Sequence, residues 1–350
     1  MAIRRPGGHR PDVSGTGLRV GLIGAGFIGE RHLAAWRAEG VDVVVLDKDP
    51  ARSSALAERL GATVVPTIEA LLAAAAVVDI CTPTHLHAPI AIAAARAGRH
   101  VICEKPLART LADGEAMLAA AKDADVRLLV GHVVRFFPEY AAARQAVLAG
   151  AIGELAVLRL TRASSRPRQP ADHWFFDHAR SGGIILDLMI HDLDYARWVA
   201  GEVVSVACRS AIFERPDAGV DHAVAILTHA SGAISHVSAS WAYAPPTFRT
   251  AFELAGSHGL IEQDSDRTAP VERSLQDGGT SGRATALAET AFNGDPFRLE
   301  LVEFARAIAA GVEPRIDGAD ALATLRLALA ADESARSGGR AIWLDARAGA

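Results

Sequence analysis

The 350-residue sequence has few cysteines, no excess of positive charge and no long apolar run. Its three cysteines, Cys81, Cys103 and Cys208, are scattered through apolar segments and lack the paired spacing of metal sites. A disulfide framework and a cysteine metal centre are therefore not expected. We expect buried, reduced thiols in a protein of the cytoplasm.

The formal net charge of −5 argues against nucleic acid and anionic membrane surfaces as partners, because both select for basic faces. No apolar run approaches the ~20 residues of a membrane-spanning helix. Residues 1–17 are rich in Arg, Gly and Pro, which predicts a disordered arm. The Arg4-Arg5 pair invites comparison with an export signal, but the next apolar run is a strand of the fold and cannot be cleaved away.

Short apolar segments alternate with alanine-rich segments of helical spacing from residue 19 to about 150. This alternation predicts a parallel sheet with helices on both faces. The predicted strands are 19–23, 41–46, 63–66, 77–81, 100–103 and 127–131.

The pattern then changes to β segments separated by Gly, Pro, Asp and Ser, several of which alternate apolar and polar residues. A helix is expected at 184–199, helices again at 296–310 and 319–337, and a mobile loop at 264–282.

We predict an α/β protein with a Rossmann domain at 18–135 and an α+β domain at 136–345, whose sheet is open and largely antiparallel. The C-terminal helices are free to pack back on the first domain. The uncovered face of an open sheet suggests a homodimer or homotetramer.

A glycine-rich turn follows the first predicted strand. Gly24 suits the tight turn, Gly26 lets a pyrophosphate approach the backbone, and Gly29 lets the helix pack close to the strand. The helix begins with Phe27 and Ile28, whose N–H groups point toward the phosphates. This turn predicts a dinucleotide-binding site.

Asp47 directly follows the second predicted strand and lies 18 residues beyond Gly29. An acid near this position accepts hydrogen bonds from a ribose, and its charge repels a 2′-phosphate. The sequence therefore favours NAD. Lys48 and Arg52 nearby leave NADP as the alternative.

Two further turns follow the fourth and fifth predicted strands. Because ligands of open α/β sheets bind at the carboxyl ends of strands, we expect both turns to line the cofactor crevice. Their candidate cofactor contacts are Thr82, Pro83, His87, Glu104 and Lys105. Lys105 is also the natural group to contact a reacting oxygen.

Polar residues recur along the predicted helix at 184–199. Asp187, His191 and Asp194 are spaced four and three apart and would share one stripe, whereas Asp192 points about 100° away from His191. A histidine flanked by carboxylates can relay a proton near neutral pH. A zinc site and a purely structural set of polar pairs are the alternatives.

Taken together, the glycine turn, Glu-Lys-Pro at 104–106 and Gly-Gly-x-x-x-Asp-x-x-x-His-x-x-Asp at 182–194 resemble the glucose–fructose oxidoreductase / inositol dehydrogenase / MocA (Gfo/Idh/MocA) family. The resemblance covers about residues 18–345. It implies hydride transfer between NAD or NADP and a sugar, polyol or inositol carbon. It also implies that Lys105, Asp187 and His191 form the catalytic set and contact substrate. From the residues themselves, we expect no metal.

The segment 131–138 resembles the junction of the family's two domains, where Arg135 either contacts substrate or braces the junction. Trp174 and His178, in a loop before the catalytic helix, are further candidate substrate contacts. Three nearby arginines hint at an acidic or phosphorylated substrate; they are Arg162, Arg166 and Arg168. Two other functions stay open: an NAD-dependent glycosidase that works by transient oxidation and elimination, and a non-catalytic NAD-binding sensor.

Overall fold

The computed structural model of the chain describes residues 17–167, 169–170, 173–212, 221–245, 247–266, 271–277, 280–285 and 294–344. The predicted arm lies outside these ranges apart from Gly17, and Arg168 also lies outside them. Of the helices in the described ranges, none combines the length and apolar composition that crossing a bilayer requires.

The first sheet has six parallel strands in the order β3-β2-β1-β4-β5-β6. Its strands are β1 (Arg19–Ile23), β2 (Asp42–Leu46), β3 (Thr63–Val64), β4 (Val77–Ile80), β5 (His100–Glu104) and β6 (Leu128–Gly131). The central strands are almost wholly buried, as expected for a parallel sheet with helices on both faces. The strand order reverses between β1 and β4, and this switch point is where such sheets bind nucleotides.

Six helices accompany this half of the chain: α1 (Phe27–Ala38), α2 (Pro50–Leu60), α3 (Ile68–Ala74), α4 (His87–Arg96), α5 (Leu111–Asp123) and α6 (Pro138–Leu148). Local sequence explains several of their ends. The side chains of Asp49, Thr67 and Thr110 accept hydrogen bonds from the first turns of α2, α3 and α5. Gly61, at φ +76°, ends α2 in the left-handed conformation.

The second sheet has nine strands in the order β14-β13-β12-β11-β7-β10-β9-β8-β15. They are β7 (Leu155–Ser164), β8 (Val203–Ile212), β9 (Asp221–His229), β10 (Ile234–Ser240), β11 (Phe248–Gly256), β12 (Gly259–Asp264), β13 (Val271–Asp277), β14 (Thr280–Thr285) and β15 (Ile342–Trp343). Only β7 and β10 pair in parallel within the described part of the sheet. The predicted fold class, a Rossmann domain with a largely antiparallel α+β domain, is confirmed.

The loop predicted at 264–282 is wrong in its central part, because β13 and β14 form a hairpin there. β13 pairs with β12 in an antiparallel register that places Ile261 opposite Arg273. Main-chain pairing with the neighbouring strand stabilises a segment whose polar sequence carries no apolar alternation.

The remaining helices are α7 (His178–Ser181), α8 (Ile190–Ala200), α9 (Pro296–Ala310) and α10 (Gly318–Arg336). The helix expected at 184–199 is not one regular α-helix, since Ile185–Met189 forms a π-helical turn before α8. A π turn spaces residues differently from the 3.6-residue period and often occurs at functional sites.

The C-terminal helices pack back on the first domain. The ring of Phe297 in α9 lies 6.0 Å from that of His32 in α1. α10 lies so close to α5 that a Cβ on Gly114 would come within 2.7 Å of Leu322. The two halves of the chain therefore share one continuous apolar core.

A buried ion pair joins the two halves. The Arg135 guanidinium donates to both carboxylate oxygens of Asp194 in α8, at 2.8 and 2.7 Å, and to Asp320 of α10 at 2.6 Å. Thr324 adds a hydrogen bond to Asp194 at 3.0 Å. Burial has the largest single effect and raises the pKa of Asp194, but Arg135, His132 and Arg197 together lower it to about 2, so this carboxylate stays charged.

Candidate active site

The three glycines of the turn after β1 meet three different steric demands. Gly24 has φ +105°, and a Cβ there would lie 2.5 Å from the carbonyl oxygen of Cys81. A Cβ on Gly29 would lie 1.9 Å from the carbonyl oxygen of Gly24, so only glycine lets α1 pack this close to β1. Around Gly26 the nearest atom is Nη2 of Arg52 at 3.6 Å, which leaves its backbone open to a ligand.

The N-terminus of α1 is suited to a pyrophosphate. No side chain among the described residues caps this helix, whose N-cap residue is Gly26. Phe27 is 72% exposed, and Ile28 is half-buried beside it. Uncapped N–H groups at a helix N-terminus are the donors that bind phosphate oxygens.

Asp47 is anchored to the same turn. Its Oδ2 accepts a hydrogen bond from the backbone N–H of Ala25 at 2.7 Å, and its Oδ1 accepts one from Asp49 at 2.9 Å. A carboxylate has lone pairs left over for two ribose hydroxyls. Arg52 donates to the carbonyl of Ala25 at 3.4 Å. The turn and Asp47 together therefore fit NAD.

The turn after β4 brings Thr82 and Pro83 to the carboxyl edge of the sheet. The Oγ1 of Thr82 is buried and has no hydrogen-bond partner among the described residues, as expected for a group that faces a ligand. Pro83 starts the short helical turn Thr84–Leu86.

His87 does not line the crevice as predicted. The side chain is 1% exposed, with Nδ1 2.9 Å from the carbonyl oxygen of Pro106 and Nε2 2.9 Å from that of Thr82. The ring therefore links the turns after β4 and β5 on the side away from the crevice. It is too deeply buried there to contact a cofactor.

Glu104 also lies behind the crevice, contrary to its predicted cofactor contact. Its carboxylate accepts a hydrogen bond from the backbone N–H of Lys105 at 3.0 Å and lies 3.2 Å from Nε2 of His32. Only 7% of the residue is exposed. Its observed contacts position the backbone of Lys105.

Lys105 and Asp187 meet across the junction of the two halves. The Lys105 ammonium donates to the Asp187 carboxylate at 3.0 Å and to its backbone carbonyl at 2.6 Å. Asp187 lies in the π-helical turn, which leaves its side chain 26% exposed. These residues, 82 positions apart, form a charged pair at the carboxyl edge of the first sheet.

His191 lies one turn beyond Asp187. Burial lowers its pKa well below the usual value, and the positive charges of Lys105 and Arg162 add to the effect. The imidazole is therefore neutral near pH 7 and able to accept a proton. Its Nδ1 is buried without a hydrogen-bond partner among the described residues.

Asp194 does not extend the polar stripe of Asp187 and His191 into a cavity, because Arg135 holds it in the core. The same ion pair distinguishes the two roles expected for Arg135, substrate contact and bracing of the domain junction. Its guanidinium, 1% exposed, bonds to Asp194, Asp320 and the carbonyl of Arg315, so it braces the junction and does not reach a substrate.

His132 was missed by the sequence reasoning. Its ring is 1% exposed, and neither nitrogen has a hydrogen-bond partner among the described residues. Its Nδ1 lies 3.7 Å from the Asp194 carboxylate, and its charge would act on His191. The signal was its position directly after β6, at the sheet edge that also carries Thr82 and Lys105.

Arg162 and Asp192 form a second buried pair, with hydrogen bonds of 2.9 Å. Arg162 lies within β7, not in a loop, so it is not available to an acidic substrate. Arg166 stacks on the ring of Phe176 at 4.3 Å.

Trp174 and His178, the two further candidate substrate contacts, have different surroundings. The Trp174 ring lies 6.3 Å from that of His85 in the turn after β4, which makes it a wall between the two halves. His178 has its Nε2 3.2 Å from a carboxylate oxygen of Asp332 in α10. Its Cδ2 would lie 3.1 Å from a Cβ on Gly183, so the ring packs on the glycine pair before the π turn.

Two family models match the chain. Residues 18–132 match the oxidoreductase family with an NAD-binding Rossmann fold, and residues 140–262 match the GFO/IDH/MocA C-terminal domain. Inositol 2-dehydrogenase of Rhizobium meliloti is 37% identical over 326 residues, which cover 91% of this chain and 96% of the relative. Myo-inositol 2-dehydrogenase of Thermotoga maritima is 32% identical over 337 residues, with coverages of 91% and 96%.

Among solved structures, levoglucosan dehydrogenase in complex with NADH and levoglucosan superposes with a TM-score of 0.84 at 28% identity. The match covers 94% of this chain and 99% of that protein. The similarity therefore extends over both sheets and the cleft between them.

The glycine geometry predicts that Gly26→Ala and Gly29→Ala fail in different ways. Gly26→Ala should leave stability within about 0.5 kcal/mol of wild type, because its Cβ would make only an ordinary van der Waals contact, with Nη2 of Arg52. It should weaken NAD binding about tenfold or more, since the pyrophosphate approaches that backbone. Gly29→Ala should lower the free energy of unfolding by about 1–3 kcal/mol through the clash with Gly24. Calorimetric titration measures the NAD affinity of each variant, and thermal unfolding measures its stability. Equal losses of affinity and stability in the two variants would contradict the separate roles of Gly26 and Gly29.

Proposed function

Since the chain belongs to the GFO/IDH/MocA oxidoreductase family, we propose that it oxidises a secondary hydroxyl of an uncharged cyclic polyol or sugar, with Lys105, Asp187 and His191 as its catalytic residues. Family membership makes it an NAD-dependent oxidoreductase that transfers hydride at CH–OH carbons of sugars, polyols or inositols. The inositol dehydrogenases among its relatives support a cyclic polyol.

The observation that carries the proposal is the meeting of a cation and a neutral base at one edge of the sheet. Lys105 reaches across from β5 to Asp187, and the pKa of His191, one turn further on, is lowered by burial and by Lys105. A carbinol placed between them would find a proton acceptor and a positive charge within one small volume.

Each side chain then has a separate task. His191 accepts the hydroxyl proton on an imidazole nitrogen, which its low pKa keeps free of a proton beforehand. Lys105 stabilises the negative charge that develops on the substrate oxygen. Asp187 holds the Lys105 ammonium in place through the 3.0 Å hydrogen bond. When bound, NAD supplies the hydride acceptor.

The charges around the cleft support an uncharged substrate. Among the described residues, Arg162 is bound to Asp192 and Arg135 to Asp194, so neither of these guanidinium groups is free for an acidic substrate. Trp174, whose ring stands by the turn after β4, suits the apolar face of a sugar or cyclitol ring.

We also propose that the protein is a cytoplasmic homodimer or homotetramer that associates through the second sheet. Two large apolar side chains, Ile226 in β9 and Ile234 in β10, are 43% and 47% exposed on that sheet. The three cysteines are free thiols, in keeping with a reducing compartment. Sedimentation velocity of wild type beside an Ile226→Lys, Ile234→Lys variant tests the assembly, and a monomeric wild type would refute it.

The function is tested with purified protein, NAD and separate inositols, aldoses and polyols, by following NADH absorbance. Lys105→Ala and His191→Ala should each reduce kcat by about 10² or more, because each removes a group that acts in the transition state. NAD affinity should stay within about threefold, since the glycine turn and Asp47 are untouched. Lys122→Ala, which alters an exposed lysine on α5, is the matched control.

Full turnover by Lys105→Ala or His191→Ala would refute the catalytic assignment. If NAD stays bound and no substrate yields NADH, glycosides should be tested for cleavage without net reduction. Cleavage would favour the transient-oxidation glycosidase, and its absence with every probe would favour the sensor.

The lowered pKa of His191 predicts a particular pH profile. A base works only above its pKa, so kcat/KM for oxidation should fall on the acid side only well below pH 6.5. Lys105→Met removes a positive charge that lowers this pKa, so the residual activity should fall at a higher pH than in wild type. Rate profiles from pH 4.5 to 9 measure both; coincident acid limbs would show that Lys105 does not act on His191.

A further inference from the structure

Behind the crevice, four ionisable side chains meet in the core, on the side of the first sheet covered by α1 and α9. They are His32 of α1, Asp79 of β4, Glu104 of β5 and Glu300 of α9, here called the buried carboxyl network. His32, Asp79 and Glu300 have no measurable exposure, and Glu104 is 7% exposed. The catalytic steps above use none of them, so their burial needs an explanation.

His32 is held between two acids. Its Nδ1 lies 3.0 Å from both carboxylate oxygens of Asp79, and its Nε2 lies 3.2 Å from Oε1 of Glu104. Burial alone lowers the pKa of His32, but Asp79 and Cys81 raise it well above the usual value. An imidazolium can donate from both nitrogens at once, and this geometry requires that of it.

Glu300 is the unusual member. Both of its carboxyl oxygens are buried without a hydrogen-bond partner among the described residues. One of them lies, with Oε1 of Glu104 and Nε2 of His32, in a group whose atoms are all within 4.8 Å of one another. Burial raises the pKa of Glu300 well above the usual value, and the negative charges of Glu104, Asp79 and Glu303 raise it further, against the opposing effect of His32.

The formal charges of the buried carboxyl network favour a neutral Glu300. Asp79 and Glu104 as carboxylates offset one imidazolium at His32 and leave one negative charge. A charged Glu300 would add a second negative charge in a region of no solvent access, which is far costlier than keeping the proton.

Glu104 connects the network to the catalytic turn. While Oε1 faces His32, Oε2 accepts the backbone N–H of Lys105 at 3.0 Å. Trp36 donates to Asp79 at 2.8 Å and fixes the far end of the chain of hydrogen bonds. The orientation of Glu104 therefore determines where the Lys105 backbone lies.

We propose that Glu300 is a neutral carboxylic acid, and that Glu300 and His32 are positioning residues which hold Glu104, and through it Lys105, in the catalytic geometry. The role assigned to Lys105 rests on the proposed function; the protonation of Glu300 does not. No atom is exchanged with substrate, so the network acts only through the position of Lys105.

The same three side chains, His32, Glu104 and Glu300, have the spacing of metal ligands. Against a metal, Nε2 of His32 already faces Glu104 at 3.2 Å, and a cation bound there would have to displace the proton between them. The neutral acid accounts for Glu300 without any further ligand, and the metal becomes an outcome of the test.

The first test is thermal unfolding of wild type and Glu300→Gln from pH 5 to 9. A group whose pKa is raised by folding stabilises the protein at low pH and loses that effect as pH rises above its unfolded pKa of about 4.5. Glutamine imitates the neutral acid at every pH. Glu300→Gln should match wild type near pH 5 and then gain in folding constant, relative to wild type, by up to about tenfold per pH unit.

His32 contributes its own pH dependence, since its raised pKa stabilises the fold below about pH 6.5 and this effect fades as pH rises through the folded value. Wild type and Glu300→Gln both contain His32, and both contain Asp79, Cys81, Glu104 and Glu303. The difference between their two stability–pH curves therefore reports on Glu300. Glu313→Gln, at an exposed carboxylate after α9, is the matched control and should follow wild type. A Glu300→Gln variant that is less stable at every pH, or that gains nothing as pH rises, would overturn the neutral acid.

The second test separates positioning from packing. Glu300→Gln should keep kcat within about twofold, Glu300→Ala and Glu104→Ala should lower it about tenfold or more, and NAD affinity should hold within about threefold in all of them. Equal kcat in wild type and Glu104→Ala would overturn the positioning role. So would a fall in kcat matched by the same fall in NAD affinity.

Metal analysis of wild type completes the experiment. A stoichiometric divalent ion that Glu300→Gln loses would overturn the proposal in favour of a metal site. If Lys105→Ala retains full turnover, the proposed function fails, while the pH dependence of unfolding still decides the protonation of Glu300. The two failures are therefore distinguishable.

Discussion

The buried ion pair between Arg135 and Asp194 is the interaction on which the arrangement of the site depends. It joins the segment after β6 to α8, and Asp320 extends it to α10. Two charges removed from water keep their place only while each has its partner, so the pair tolerates little change in geometry. The π-helical turn, which begins five residues before α8, is held against the first sheet by this contact. Only there does Asp187 reach Lys105.

The site works through contrasts in protonation that neighbouring side chains maintain. Burial and the positive charges of Lys105 and Arg162 keep His191 neutral, whereas Asp79 holds a proton on His32, which is more deeply buried. The two histidines lie on either side of the Glu104-Lys105 segment. One faces the cleft as a base, and the other supports the turn from behind as a cation. Burial lowers the pKa of both histidines, and the nearest charges decide whether that effect prevails.

The parts predictable from sequence are those in which local geometry dictates the residue. Gly24, Gly26 and Gly29 have the three separate steric roles that their spacing indicates, because a strand, a tight turn and a helix leave no other arrangement. The fold class follows from the alternation of apolar segments in the first half and the β segments in the second. The meeting of Lys105 and Asp187 was also expected, but through the family's motifs and not from the spacing of the residues.

The parallel sheet and the dinucleotide turn follow from the amino-acid sequence alone, since they depend on neighbours within about 30 residues. Which polar residues face the cleft depends on long-range packing that the sequence pattern does not reveal. His87, Glu104 and Arg135 appear in the right segments, yet their side chains point into the core and hold backbone turns or other charges. Their direction depends on Thr82, His32 and Asp194, which lie from 5 to 72 positions away along the chain. The π turn likewise changes the spacing of Asp187 and Asp194, and no periodicity in the sequence announces it.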